Sequence, residues 1–328
     1  MHHRRSSLAV ALALAASGAV LFADRASAQE TYPNKPVKIV VGMPAGSFTD
    51  LTARLIGDSL RQDLKESFVI ENRPGAATNI ATQAVARAPK DGYTLLLSSN
   101  SNAMNVSLFK DLPFDVSTDF QPVAMIASSS FILAVTPSLP VSNLKELIAY
   151  AKANPGVLNF ASTGSGTANH LAVEMLAKQA DIKVATIFYK GSMEGLADVI
   201  AGRTHGMFAP GSSAMPHIQA GRLKAIAVTS GSRTSLAPDL PTMSEAGAPG
   251  YEVTMWNGLF VPTGTPREVV EKLAAATTKA VASQELQTKI KNNGGDPIVM
   301  GSKEFADYLQ KDIRRWSDVI QAAGIKPQ

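Results

Sequence analysis

VKIVVGMPAGSFTDLTARLIGDSL, residues 37–60, decides how the rest of the chain is read. Val37–Met43 is a short apolar run rich in β-branched residues, PAGSFTD is a turn, and from Asp50 to Leu64 the apolar residues recur at helical spacing. A buried strand that feeds a helix through such a turn leaves unpaired backbone N–H groups at the helix start. With the positive end of the helix dipole, those groups make an anion site. Gly46 can take a backbone conformation closed to other residues, Ser47 and Thr49 add hydroxyls, and Asp50 reads as the helix cap. The turn holds no His, Cys, Lys or Arg. It is built to hold an anion rather than to react with one.

The same alternation continues outward. Phe68–Glu71 reads as a strand, NRPG as a turn, Asn79–Arg87 as a helix, and Thr94–Ser98 as a strand that runs into the loop SSNSN. A second unit follows the long apolar segment Val123–Thr136. It comprises a helix capped by Ser142, a strand at Leu158–Ala161, the turn STGSGTAN, the helix HLAVEMLAKQA, strands at Val184–Tyr189, Gly206–Phe208 and Lys224–Thr229, and a helix at Met193–Ile200. Helices at Pro266–Ala282, Glu285–Asn293 and Lys303–Ala323 close the chain, with a short strand at Ile298–Met300.

Strands alternating with helices predict an α/β fold with doubly wound sheets, whose ligands sit beyond the carboxyl ends of the strands. A first unit, a second unit and a return predict two lobes, residues 29–126 plus 254–328 and residues 127–253. The crossings fall near Met125–Leu133 and Tyr251–Phe260, and the ligand cleft lies between the lobes.

Composition narrows the class. Residues 1–28 combine a basic start, MHHRR, an uncharged apolar run of about 16 residues and the cleavage site Ala26-Ser27-Ala28. This is a signal peptide, short of the roughly 20 apolar residues that span a membrane. Removing Arg4, Arg5, Arg25 and Asp24 from 31 basic and 27 acidic residues leaves 28 and 26, a net charge of +2. The basic residues are scattered, which argues against nucleic acid. With no cysteine there is no disulfide and no lipid-bearing thiol. The mature chain's histidines, His170, His205 and His217, have no metal-ligand spacing, and no cofactor motif is present. STGSGTANH supplies a second candidate cradle, in which Gly164 and Gly166 flank Ser165, Thr167 can cap a helix, and His170 falls in its first turn. SNLK at residues 142–145 lacks the partner motifs of an acyl-transfer enzyme.

Collinear stretches along the whole mature chain carry a family likeness: YPNKPVKIVV, VIENRPGAATNIAT, DGYTLLL, LPFDVSTDFQPVAMIA, YKGSMEGLADVIAGR, LPTMSEAGAPGYE and WSDVIQAAGIK. The chain resembles the Bug family of extracytoplasmic solute receptors of tripartite tricarboxylate transporters. The resemblance implies a two-lobed type II periplasmic-binding-protein fold and reversible binding of a small carboxylate. It implies delivery to the membrane subunits of a transporter, no enzymatic activity and no cofactor, and a monomer in the periplasm. Alternatives are an exported hydrolase and a receptor that senses without transporting.

Carried over residue by residue, Gly46, Ser47, Phe48, Thr49 and Asp50 match the first-lobe loop, Asn79 the second turn, and Ser99 and Asn100 the third. Ser165, Gly166, Thr167 and His170 match the second-lobe loop. Ser47 stands where the family often has a second glycine, and Glu194 where a proline is usual. Phe48, with Met43, Phe208 and Trp256, points to a ligand with an apolar body. The exported protein is expected to begin at Gln29. An intact mass that retains Met1 in protein recovered from the periplasm would overturn this.

Overall fold

The computed structural model describes residues 32–327, and the account below concerns the compact body that begins at Lys35. The expected signal peptide, residues 1–28, lies outside the described residues. The first elements are β1 (Val37–Val41), α1 (Phe48–Leu64), β2 (Phe68–Asn72), a 3-10 turn (Ala76–Thr78), α2 (Asn79–Ala86), β3 (Thr94–Ser99), α3 (Asn100–Leu108) and β4 (Phe120–Val135). There follow α4 (Leu144–Ala153), β5 (Asn159–Ser162), α5 (Ala168–Ala180), β6 (Ala185–Phe188), α6 (Ser192–Ile200), β7 (Gly206–Pro210), α7 (Gly211–Gln219) and β8 (Lys224–Val228). The last are β9 (Thr254–Pro262), α8 (Arg267–Ala282), α9 (Gln284–Asn292), β10 (Asp296–Gly301) and α10 (Ser302–Ala322).

The strands join in the order β2-β1-β3-β9-β4-β7-β5-β6, with β10 and β8 also paired to β4. In the first half β1 lies parallel to β2 and β3, with Ile39 opposite both Ile70 and Leu95. In the second half β5 lies parallel to β6 and β7. β4 belongs to both halves. Phe120–Ser130 pairs with β9, and Phe131–Val135 pairs with β7. The return passage comes at Val253–Thr254, where the Val253 N–H donates to Thr229 O at 2.8 Å and Thr254 pairs with Ser130. Every residue of β4 except Gln121 is buried, which is why it reads as an unbroken apolar run.

The C-terminal helix α10 seals the sheet along β4. Phe305, Leu309, Asp312, Trp316 and Ile320 are its buried residues and recur at helical spacing. Phe305 meets Trp256 edge-on at 5.3 Å between ring centroids and lies 5.0 Å from Phe260. Asp312 interrupts this stripe and is satisfied there. It accepts the Trp256 indole N–H at 2.7 Å and an Arg315 N–H at 2.6 Å, and Arg315 also approaches the Glu252 carboxylate at 3.4 Å.

Two helices depart from the sequence reading. SSNSN was expected as a loop, yet α3 begins at Asn100. Asn and Ser disfavour helix interiors because their side chains compete for backbone partners, but here Asn102 and Asn105 are buried and bonded to the turn at residues 76–78 and to α2. α7 carries Pro216 inside it and gives no clear periodic signal. The cap of α4 is Asn143 rather than Ser142. Asn143 Oδ1 accepts the Glu146 N–H at 2.9 Å, and Glu146 reaches back past the cap to the Ser142 N–H at 2.7 Å, a variant of the capping box one residue later than expected.

Gly258 faces the Phe305 ring so closely that a Cβ there would sit 2.2 Å from Phe305 Cζ. Gly258→Ala is therefore expected to destabilise the protein by about 1–3 kcal/mol through overpacking. The readout is a melting temperature lowered by several degrees, and an unchanged value would mean that the ring does not rest on this glycine.

Candidate functional site

A cleft of about 1130 Å³ opens at the strand ends that lead into α1, α3, α5, α6 and α7. Its floor is the place where β4 changes partners, and Phe131, Met255 and Asn257 line it. Five helix starts face the cleft, represented among its lining residues by Phe48, Asn100, Ala168, Ser192 and Ser212. Each presents N–H groups without intrahelical partners and the positive end of a dipole.

The first loop is held from behind. Gly46 has φ +81°, and Ser47 caps α1, its hydroxyl accepting the Asp50 N–H at 3.2 Å. Asp50 was expected to be the cap. It is instead the third helical residue, and its carboxylate turns back to accept the Gly46 N–H at 2.8 Å. The same carboxylate accepts Arg54 Nε at 3.0 Å and Asn72 Nδ2 at 2.9 Å. Only 1% of Asp50 is exposed, and it does not line the cleft. Burial raises its pKa, but the hydrogen bonds from Arg54, Gly46 and Asn72, with the charge of Arg54, outweigh that and hold the carboxyl below its ordinary value of 3.8. Thr49 donates to Asn257 Oδ1 at 3.0 Å, and Asn257 in turn donates to Thr52 Oγ1 at 3.2 Å. This ties the loop to β9.

The second turn contributes more than the sequence suggested. Gly75, Ala76, Ala77 and Thr78 all have positive φ, of 133°, 45°, 50° and 82°, and all four line the cleft. A run of left-handed residues is costly for non-glycines and persists only where its surroundings enforce it. α3 supplies that enforcement. Asn105 Nδ2 donates to Ala77 O and lies within bonding distance of Asn79 Oδ1, both at 2.7 Å, and Thr78 donates to Asn102 Oδ1 at 3.0 Å. Asn79 therefore supports the turn and does not line the cleft. Ser99 caps α3, and both it and Asn100 do line it.

On the opposite wall stand Ser165, Gly166 and Thr167. Thr167 occupies the cap position of α5 without bonding a helix N–H, and its hydroxyl donates to Gly164 O at 2.7 Å. His170 sits behind this loop, with Nδ1 accepting the Gly166 N–H at 3.1 Å and the ring edge-on to Phe188 at 5.2 Å. It too does not line the cleft.

The cleft thus gathers Gly46, Ser47, Phe48, Thr49, Ser99, Asn100, Ser165, Gly166 and Thr167, while Asp50, Asn79 and His170 brace it. The apolar lining includes Met43 and Phe48 but neither Phe208 nor Trp256. Both are buried elsewhere, Phe208 stacked on Tyr251 and Trp256 bonded to Asp312. Met104, Leu108, Phe109, Phe131, Met255 and Ile325 add to it. Sequence reading missed the wall formed by Pro210, Ser212 and Ser213. The signal was there, since APGSS at residues 209–213 follows a strand as MPAGS does at residues 43–47. Among the described residues no cluster of His, Cys, Asp or Glu could hold a metal ion.

The chain matches the tripartite tricarboxylate transporter family receptor over residues 52–325. It is 32% identical to the protein BugT of Bordetella pertussis over 299 residues, which is 90% of this chain and 92% of that protein. Its structure is similar to Rpa4515 of R. palustris with adipate, at a TM-score of 0.79 and 34% identity, covering 90% of this chain and 100% of that one. It is also similar to MatC of Rhodopseudomonas palustris with bound malate, at a TM-score of 0.73 and 30% identity, covering 88% and 100%. The fold is the two-lobed type II periplasmic-binding-protein fold expected from the sequence.

Because the folded pKa of Asp50 lies below the unfolded one, the stability it contributes is present above the ordinary carboxylate range. That stability is lost as pH falls through the folded value. Asp50→Ala also leaves the Gly46 N–H without its acceptor and removes one of the acceptors of Asn72 and Arg54, at an expected cost of about 1–3 kcal/mol. Denaturant titrations at pH 7 and pH 3 test both points. The gap between wild type and variant is expected to narrow at the lower pH, and a constant gap would exclude the ionised carboxylate as its source.

Proposed function

The chain belongs to the tripartite tricarboxylate transporter receptor family, whose members are solute-binding receptors rather than enzymes, and from that premise we propose that it reversibly binds a small carboxylate in the periplasm. The observation that carries this reading is the convergence of five helix starts on one cleft whose lining offers N–H groups, hydroxyls and amides. Such groups stabilise a carboxylate without reacting with it. The apolar lining from Phe48, Met104 and Met255 suits the carbon chain between or beside carboxylates. Adipate and malate, bound by the two similar Rhodopseudomonas palustris proteins, have this chemistry.

The lobes in this reading are residues 29–126 plus 254–328 and residues 127–253. A small anion reaches loops from both only when they close on it, in the manner of hinged binding proteins. The closed form offers a surface to the membrane subunits of a transporter, and the receptor acts as a monomer after cleavage before Gln29.

The test is thermal unfolding against a panel of mono-, di- and tricarboxylates. A ligand at a hundredfold excess over its Kd adds about 2.7 kcal/mol, which raises the melting temperature by a few degrees in a chain of this size. No Cβ at Gly46 would meet another atom within 4 Å, so the harm of Gly46→Val comes from its φ of +81°. Valine there shifts the loop's N–H groups off the anion, and the variant is expected to fold but show no ligand-induced shift. A panel without any stabilising carboxylate would overturn the proposal.

A further inference from the structure

The end of α10 returns the chain to the cleft. Gly324, at φ +66°, turns the helix end, with the Gly324 N–H donating to Gln321 O at 3.1 Å and the Ile325 N–H to Ile320 O at 3.2 Å. This pair of bonds is a Schellman motif, and its usual apolar contact is present, since Ile325 packs on the core that contains Ile320. Lys178 donates to Ala322 O at 3.3 Å and ties the same turn to the last turn of α5. The direction of the next residue is therefore fixed rather than left to a free tail. That residue is Lys326, and it lines the cleft.

Every other residue lining the cleft is neutral. Asp50 and His170, the titratable groups nearest the two loops, are turned away from it, and Asp50 is matched by Arg54. Lys326 is exposed and makes no ion pair among the described residues. The helix starts supply partial positive charges that act only at short range, beside the loops they open from. Lys326 is the one full charge among the described lining residues, and it suits an anionic group of the ligand that lies beyond the reach of the loops. We propose that Lys326 is a specificity-determining residue that selects dicarboxylates over monocarboxylates, its ammonium pairing with the distal carboxylate. This rests on the carboxylate-receptor reading above.

Calorimetric titration of the whole protein with saturated dicarboxylates of four to eight carbons, each against the monocarboxylate of equal length, tests it. In the wild type at least one dicarboxylate is expected to bind more tightly than its matched monocarboxylate. Lys326→Gln is expected to weaken that dicarboxylate by roughly three- to fivefold, the upper end of what an exposed ion pair contributes. The monocarboxylate is expected to change by less than about twofold on the same grounds, and Lys326→Arg to keep most of the preference. A dicarboxylate affinity untouched by Lys326→Gln, an equal loss for both ligand classes, or a wild-type preference for monocarboxylates would each overturn the assignment while leaving the receptor reading intact. Wild-type protein that binds neither class would overturn the receptor reading itself. Because Lys326 is exposed, equal melting temperatures of the ligand-free proteins separate a binding effect from a folding one.

Discussion

Sixteen residues of β4 must satisfy their backbone groups against two different sets of strands. Up to Ser130 the partners are β9 and β10, and from Phe131 they are β7 and β8. A buried strand cannot leave its N–H and C=O groups unpaired, so the register on each side fixes how the two halves meet. Both halves then present the ends that lead into their helices to the same space. Small polar residues, Ser128, Ser129 and Ser130, occupy the changeover and are buried there. The cleft follows from this one strand, and Phe131 at its floor belongs to it.

Charge is distributed to suit an anionic guest. A carboxylate facing the cleft would repel the ligand, and Asp50 avoids this by lying behind the first loop. There it aligns the Gly46 N–H and is neutralised by Arg54. The amides of Asn102, Asn105 and Asn257 are likewise spent on holding backbone and hydroxyls in place. Buried polar groups of this kind are costly unless paired, and paired they rigidify their surroundings. The cleft is thus preorganised by a layer of side chains that do not line it, together with some that do.

α10 has two tasks. Its apolar stripe closes the core over β4 and β9, and the buried Asp312 joins Trp256 to Arg315 beside the return passage at Glu252. Burial pushes the Asp312 carboxyl above its ordinary value, and Arg315 and the Trp256 N–H offset this only in part. At its far end the helix delivers Ile325 and Lys326 to the cleft. A helix that crosses from core to rim couples the packing of the sheet to the shape of the binding space.

Local pattern was enough for much of this. The strand run and turn at residues 37–50, the glycine-flanked Ser165, and the apolar segment of β4 each declare themselves through periodicity, turn chemistry and length, which are properties of neighbours in sequence. The two-lobed fold and the first-loop and second-loop residues of the cleft followed from them. What the sequence could not assign was the role of residues whose partners lie far along the chain. Asp50 looks like a cap until Gly46 and Asn72 are seen to share its carboxylate. SSNSN at residues 98–102 looks like a loop until the left-handed turn at residues 75–78 gives the amides of α3 something to hold. His170 and Asn79 show nothing in sequence of the bonds to Gly166 and Asn105 that set them behind the lining of the cleft. Lys326 carries no signal at all in a polar tail. Only the turn at Gly324 and the anchor from Lys178 bring its charge to the cleft, because electrostatic and hydrogen-bonding partners are chosen by distance in space, which sequence order does not record.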